Sequence, residues 1–230
     1  MLETKYGSDI GKSENGFEKP LLREVAYERL KTAIQTGDLR PGEPLYELHL
    51  SEKLQISRTP VREALQQLVL EGLVKNMPNR AMTVASLSMQ EVLNVLHIRS
   101  LIEPEIARLI AESASKELIK ELRSTVEALE TAAENDDRKA WSRADNVFHE
   151  SLSRACPNEL LGQLVLQMRN RMHVISTDAH TTMARLLTCT HEHKTIVEAI
   201  AARDGQAAKD AMQKHISQLR ERFFKRWTHM

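Results

Sequence analysis

The sequence predicts a mainly α protein in two parts: a small N-terminal unit of three helices and two short strands, then an all-α helical bundle. Apolar residues recur at helical spacing through most of the 230 residues, and the only strand-like pattern lies within 73–84. Aromatics make 4% of the chain, with 8 Gly and 7 Pro, too few turn-formers for an all-β sandwich. At 41% apolar and 28% charged, the chain can build one large or two small cores, which excludes a disordered or collagen-like polymer. No apolar run approaches the roughly eighteen residues of a membrane span, and the first twenty residues lack the apolar stretch of a signal peptide. The expectation is a soluble, cytoplasmic protein with no membrane partner. Cys156 and Cys189 form neither a disulfide framework nor a paired-cysteine metal motif, as expected in a reducing compartment.

Residues 1–19 are polar and without apolar period, and read as a flexible extension. From Leu21 onward Leu22, Val25, Ala26, Leu30, Ala33 and Ile34 mark a first helix, stopped by Gly37 and Pro41–Gly42. A short second helix covers about 47–54, and a third runs from near Ser57 to Glu71, ended by Gly72. Two strands follow, 73–75 and 82–84, joined by a turn containing Pro78–Asn79. Beyond Ser86 helical patterns cover roughly 88–113, 116–133, 137–154, 158–175, 183–202 and 205–226. The economical division is therefore an N-terminal unit over 20–86 and a bundle over 87–230.

The net charge is zero, and residues 20–85 carry nine Lys or Arg against eight Asp or Glu, so any nucleic-acid footprint must come from placement. The third helix supplies such placement. Val61, Ala64, Leu65, Leu68 and Val69 form one apolar stripe, while Arg58, Arg62 and Gln66 lie four residues apart on another face, with Thr59 beside them. A helix of this kind buries one side on its own unit and offers arginines and amides to a DNA groove. Ser57 is its expected N-cap, and Pro60 is tolerated in a first turn whose amides lack intrahelical partners. Two arginines alone would equally suit a solvated face. The order of short helix, turn, arginine helix and two-stranded wing with Lys75 and Arg80 is that of a winged helix-turn-helix.

The run LYELHLSEKLQISRTPVREALQQLVLEGL over 45–73, preceded by GDLRPGE, resembles the DNA-binding domain of GntR-family transcription regulators, with SRTPVREAL as its most specific part. The resemblance implies operator contacts from Arg58, Thr59 and Arg62, and a wing contact from Arg80. Three positions depart from the family pattern. Gln55 replaces the glycine of the turn between the second and third helices, where a left-handed backbone costs roughly 1 kcal/mol without glycine. Ser51 replaces an alanine. Ala81 takes the place of the wing glycine, which leaves the wing's contacts less defined than those of the helix.

In the bundle, titratable side chains fall on stripes that should be apolar. Asp145 and His149, one turn apart, share the face of Phe148, Leu152 and Cys156. His193 extends the stripe of Ile196, Val197 and Ile200, and His215 lies among Ala208, Met212, Ile216, Leu219 and Phe223. A buried carboxylate or imidazole is costly unless paired or metal-bound. Any one of these could be a hydrogen-bonded core histidine; four on inward faces of three helices favour a divalent ion, Zn²⁺ first, with Ni²⁺ or Mn²⁺ as alternatives. His191 points elsewhere and reads as solvated. Arg99, among Val92, Val95, Leu96, Ile102 and Ile106, is either an internal partner of Glu103 or a guanidinium clamp for a carboxylate effector.

HIRSLIEPEIARLIA, ADNVFHESL and EHKTIVEAIAARDGQAAKDAMQKHI are similar to the FCD effector-binding domain of the FadR-type branch of the same family. In metal-containing members the ligands match Asp145, His149, His193 and His215, and the resemblance implies a small organic acid bound beside the metal with Arg99 nearby. The expected function is a ligand-responsive regulator, a homodimer on palindromic operator DNA. The alternatives are a metalloenzyme, against which stands the lack of an evident general base on the site stripes with only Glu103 left open, and a purely structural metal.

Overall fold

The computed structural model describes residues 21–76, 81–176 and 182–227. The expected extension over 1–19 and the wing tip with Pro78, Asn79 and Arg80 lie outside the described residues. No described helix is long and apolar enough to cross a membrane.

The N-terminal unit is a winged helix-turn-helix. Helix α1 (Leu22–Gln35) buries Ala26, Leu30, Ala33 and Ile34 against α3 (Arg58–Leu70), whose Val61, Ala64, Leu65 and Leu68 are all shielded. Between them lie β1 (Pro44–Leu45) and α2 (Glu47–Leu54), and β2 (Val74–Lys75) and β3 (Met82–Val84) complete a sheet in the order β1-β3-β2. Only β2 and β3 are expected from sequence. A two-residue strand such as β1 carries no period to read, and its pairing of Pro44 with Thr83 and Leu45 with Met82 is purely tertiary. Gln55 ends α2 at φ 55°, in the left-handed conformation its place in the turn demands. Ser57 stands at the N-cap of α3, but its hydroxyl makes no capping bond.

The bundle contains α4 (Met89–Ser113), α5 (Lys116–Glu134), α6 (Arg138–Ala155), α7 (Glu159–Ser176), α8 (Met183–Ala201) and α9 (Gly205–Trp227). Local chemistry fixes the starts. Ser88 and Glu91 form a reciprocal capping box, and Ser115, Asp137 and Thr182 accept first-turn amides of α5, α6 and α8. Helix α4 packs along α9, while α5 packs against α6 and α8.

Two apolar clusters fill this part. One gathers Ile106, Ile110, Leu122, Phe148, Leu152, Ile196 and Ile200. The other, smaller, joins Val92, Val95 and Leu96 of α4 to Met172 of α7 and Phe223 of α9. On α4, Arg99 and Glu103 fall between the residues of the two clusters, and on α9 His215 falls between Met212 and Leu219. A polar layer is thereby enclosed between two apolar ones.

The two units touch at the end of α3. Tyr27 donates to Glu71 Oε1 at 2.7 Å, and Asn170 of α7 donates to Glu71 Oε2 at 3.3 Å. Gly72 adopts φ +76°, and a Cβ there would lie 2.9 Å from Arg171 Nε. Both backbone and neighbour therefore call for glycine.

A buried imidazole and arginine cluster as candidate metal and ligand site

Asp145 and His149 sit one turn apart on α6, His193 on α8 and His215 on α9; the structure brings the three imidazoles together and Asp145 against His149 and His193. His149 Nε2 lies 3.0 Å from His193 Nε2, and Asp145 Oδ1 lies 3.3 Å from His193 Nε2 and 3.7 Å from His149 Nε2. His149, His193 and His215 each offer a ring nitrogen within 4.8 Å of the others. A first-row ion with bonds of about 2.0–2.2 Å spaces neighbouring donors roughly 3–3.5 Å apart, close to the spacing among His149, His193 and Asp145. His215 Nδ1 meets Glu192 Oε2 at 2.7 Å, which leaves Nε2 as the nitrogen it could offer an ion, with Glu192 placed as a carboxylate behind the ring. Trp141 Nε1 donates to Thr190 Oγ1 at 2.9 Å and pins α6 to α8 beside the cluster.

Electrostatics favour neutral rings. Burial lowers His193 to about 3, with His215 adding to the effect, and burial holds His149 well below its usual value, reinforced by Arg169. Neutral imidazole is the ligating form. Burial pushes Glu192 upward, but hydrogen bonds from His215 and Arg222 outweigh it and hold the carboxyl at about 2. Cys189 is placed near Asp145 and His193, and also near Glu192 and His215. Burial raises its thiol in the metal-free protein, and neither of its two groupings includes His149.

These directions set a pH dependence for the metal-free protein. The unfolded chain protonates its histidines as pH falls through about 6.5, while the folded protein leaves His149 and His193 neutral. The stability they contribute is complete above that pH and is lost as it falls. Melting temperature of the metal-free protein should be level from pH 8 to 7 and drop from pH 6.5 to 5, above the range in which carboxylates titrate. A level profile down to pH 5 would contradict neutral buried rings.

Arg99 is 3% exposed and donates through Nε to Glu103 Oε1, so its ion pair with Glu103 is present. The pair does not exhaust the guanidinium, because the buried Nη2 has no partner. Two further arginines that periodicity did not single out join the layer. Arg169 of α7 donates to Asp145 Oδ2 at 3.0 Å, and Arg222 of α9 grips Glu192 at 2.9 and 3.2 Å. Arg169 falls four residues after buried Val165 and three before buried Met172, the same apolar-stripe signal that marks Arg99. Glu192 directly precedes His193 and is also buried. Arg222, Glu192 and Arg169 bring three charges that the sequence reading missed.

A cavity of about 630 Å³ opens onto this layer. Its walls include Arg99, Asp145, Asn146, His149, Arg169, His215 and Arg222, and also Thr32 and Gln35 of α1 with Thr36 at its C-terminal end. The N-terminal unit therefore contributes to the wall.

On α3, Arg58, Thr59, Arg62 and Gln66 are all exposed on the face away from the core. Glu47 of α2 accepts from Arg62 Nε and Nη2, both at 2.8 Å, and lies 3.6 Å from Arg58 Nη2. His191 is exposed, as expected.

Two family descriptions match this chain: "Bacterial regulatory proteins, gntR family" over residues 22–84 and "FCD domain" over 94–218. A probable D-xylose utilization operon transcriptional repressor of Paenarthrobacter nicotinovorans is 30% identical over 188 residues, covering 80% of each chain. The HTH-type transcriptional repressor RspR of Escherichia coli K12 is 29% identical over 206 residues, covering 88% of this chain and 89% of its own. Among solved structures, E. coli McbR/YncC superposes with a TM-score of 0.81 at 23% identity, over 91% of this chain and all of that one, a likeness of fold.

Proposed function

Because the chain belongs to the GntR family of bacterial transcription regulators and carries an FCD domain, we propose that it is a metal-dependent, acid-responsive repressor that holds an inverted-repeat operator as a homodimer. In this reading residues 20–86 are the reader and 87–230 the sensor. Family membership makes it a regulator rather than an enzyme, and Glu103, held by Arg99 in the buried layer, is engaged structurally.

The observation that carries the sensor half is the convergence of His149 Nε2, His193 Nε2 and Asp145 Oδ1, with Glu192 behind His215. Asp145, His149, His193 and His215 would hold the divalent ion, which supplies a Lewis-acidic anchor for one oxygen of a small carboxylate. Arg99, which lines the same cavity and whose Nη2 has no partner, would hold the acid through charge-assisted hydrogen bonds.

Coupling to DNA has a physical route in α7. Arg169 reaches inward to Asp145, while the next two residues, Asn170 and Arg171, meet Glu71 and Gly72 at the end of the recognition helix. An acid that competes for Arg169 would alter how α7 seats that helix, and only its different affinity for the two arrangements can shift operator binding.

A thermal-shift screen of mono-, di- and tricarboxylates on zinc-loaded protein, followed by operator titration with each hit, tests the proposal. At least one acid should raise the melting temperature and change operator affinity; the absence of any such acid would leave a structural metal in its place. Arg99→Ala should weaken the hit by about tenfold or more while metal content stays at one equivalent. Joint loss of metal and acid binding would reassign Arg99 to the structural layer.

A further inference from the structure

Among the described residues, four buried side-chain atoms have no hydrogen-bond partner: Arg99 Nη2, Asn146 Oδ1, His193 Nδ1 and Arg222 Nε. They are not scattered. Three of them belong to residues that line the cavity beside the imidazoles, Arg99, Asn146 and Arg222, while His193 turns its other nitrogen, Nε2, to the cluster. Unpaired buried polar atoms are rare in folded proteins, and their gathering around one cavity describes what is meant to fill it.

The orphans specify their partners. Guanidinium nitrogens only donate, so Arg99 and Arg222 call for acceptors, which an ionised carboxylate provides. The Asn146 carbonyl oxygen only accepts, and a carboxylate ionised at neutral pH has no proton to give it. Asn146 follows Asp145 directly and precedes His149 by three residues on α6, and it shares the cavity wall with both. We propose that Asn146 is a specificity-determining residue that reads a hydroxyl, and that the effector is a hydroxy acid whose carboxylate faces Arg99 and Arg222. The inference rests on the sensor reading above and narrows its ligand class. A hydroxyl both donates and accepts, so it satisfies the amide in either orientation of its oxygen and nitrogen.

Matched acids test this, each pair differing by one hydroxyl: malate against succinate, and lactate against propionate. Calorimetric titration into zinc-loaded, full-length protein should show the hydroxy member of at least one pair binding about tenfold or more tightly, since its deoxy analogue leaves the amide unpaired. Asn146→Leu should bring that ratio to within about twofold, chiefly by weakening the hydroxy acid, with zinc still at one equivalent. Asn146→Ala serves as a second variant should leucine displace the ion. Equal affinity of both pairs for the unaltered protein would overturn the proposal, because water then fills the site at Asn146. A preference that survives in Asn146→Leu would overturn it too, since the hydroxyl is then read by the metal. If neither these four nor any acid of the wider carboxylate screen binds the unaltered protein, the sensor reading itself fails and takes this inference with it; a failure confined to the ratio leaves that reading standing.

Discussion

Replacing His193 with alanine should remove the divalent ion from the purified protein, read by elemental mass spectrometry, and cancel the rise in melting temperature that added zinc gives the unaltered chain. His193 is fully buried, and its Nε2 stands between Asp145 Oδ1 and His149 Nε2. Without it the remaining donors no longer surround one point. Loss of an outer carboxylate such as Glu192 typically weakens metal affinity by about 10–100-fold, and loss of a ligand should exceed that. Glu192→Gln should therefore retain zinc only at higher free concentration, whereas His193→Ala retains none after gel filtration. Cys189→Ser should leave occupancy unchanged, because Cys189 comes near Asp145 and His193, or Glu192 and His215, but is not grouped with the three imidazoles together. A full equivalent of zinc in His193→Ala, or its loss from Cys189→Ser, would place the ion elsewhere in the cluster. Melting curves after chelation separate metal loss from unfolding: stripped of metal, variant and parent should both give one cooperative transition.

Much of this site is legible in the sequence because helices convert spacing into direction. Asp145 and His149 are i and i+4, and His193 and His215 interrupt apolar stripes, so helical spacing alone aims each inward. What period cannot supply is the partner across the gap. Arg169 carries the same signal as Arg99, yet its meaning comes from Asp145, 24 residues earlier and on another helix. Glu192 matters because His215 and Arg222 face it, a fact of packing between α8 and α9. The same division runs through the N-terminal unit. Its three helices and the β2–β3 wing follow from local pattern, while β1 exists only because β3 lies beside it. Gln55 shows the converse. The turn forces a left-handed backbone on a residue with no preference for it, and the tertiary frame prevails over local propensity.

Arg62→Ala should weaken operator binding by roughly 1–3 kcal/mol and relax base preference at one position of each half-site. The geometry of its ion pair explains why the loss should be one of specificity. Glu47 accepts from Nε and Nη2, so one edge of the guanidinium is held against α2. The terminal edge, formed by Nη1 and the second hydrogen of Nη2, is left for a bidentate contact with a guanine. Glu47 thus acts as a positioning residue for Arg62, and its own replacement has a distinct signature. In Glu47→Ala the arginine keeps its charge but loses its fixed orientation, and a negative charge leaves the DNA-facing surface. Non-specific affinity should rise while the ratio of operator to random DNA falls, measured by fluorescence anisotropy at two salt concentrations. Arg62→Ala lowers the operator term and leaves random DNA weakened only by one charge. If both variants instead weaken operator and random sequence in equal proportion, Arg62 is a phosphate contact, and base reading falls to Arg58, Thr59 and Gln66 on the same exposed face of α3.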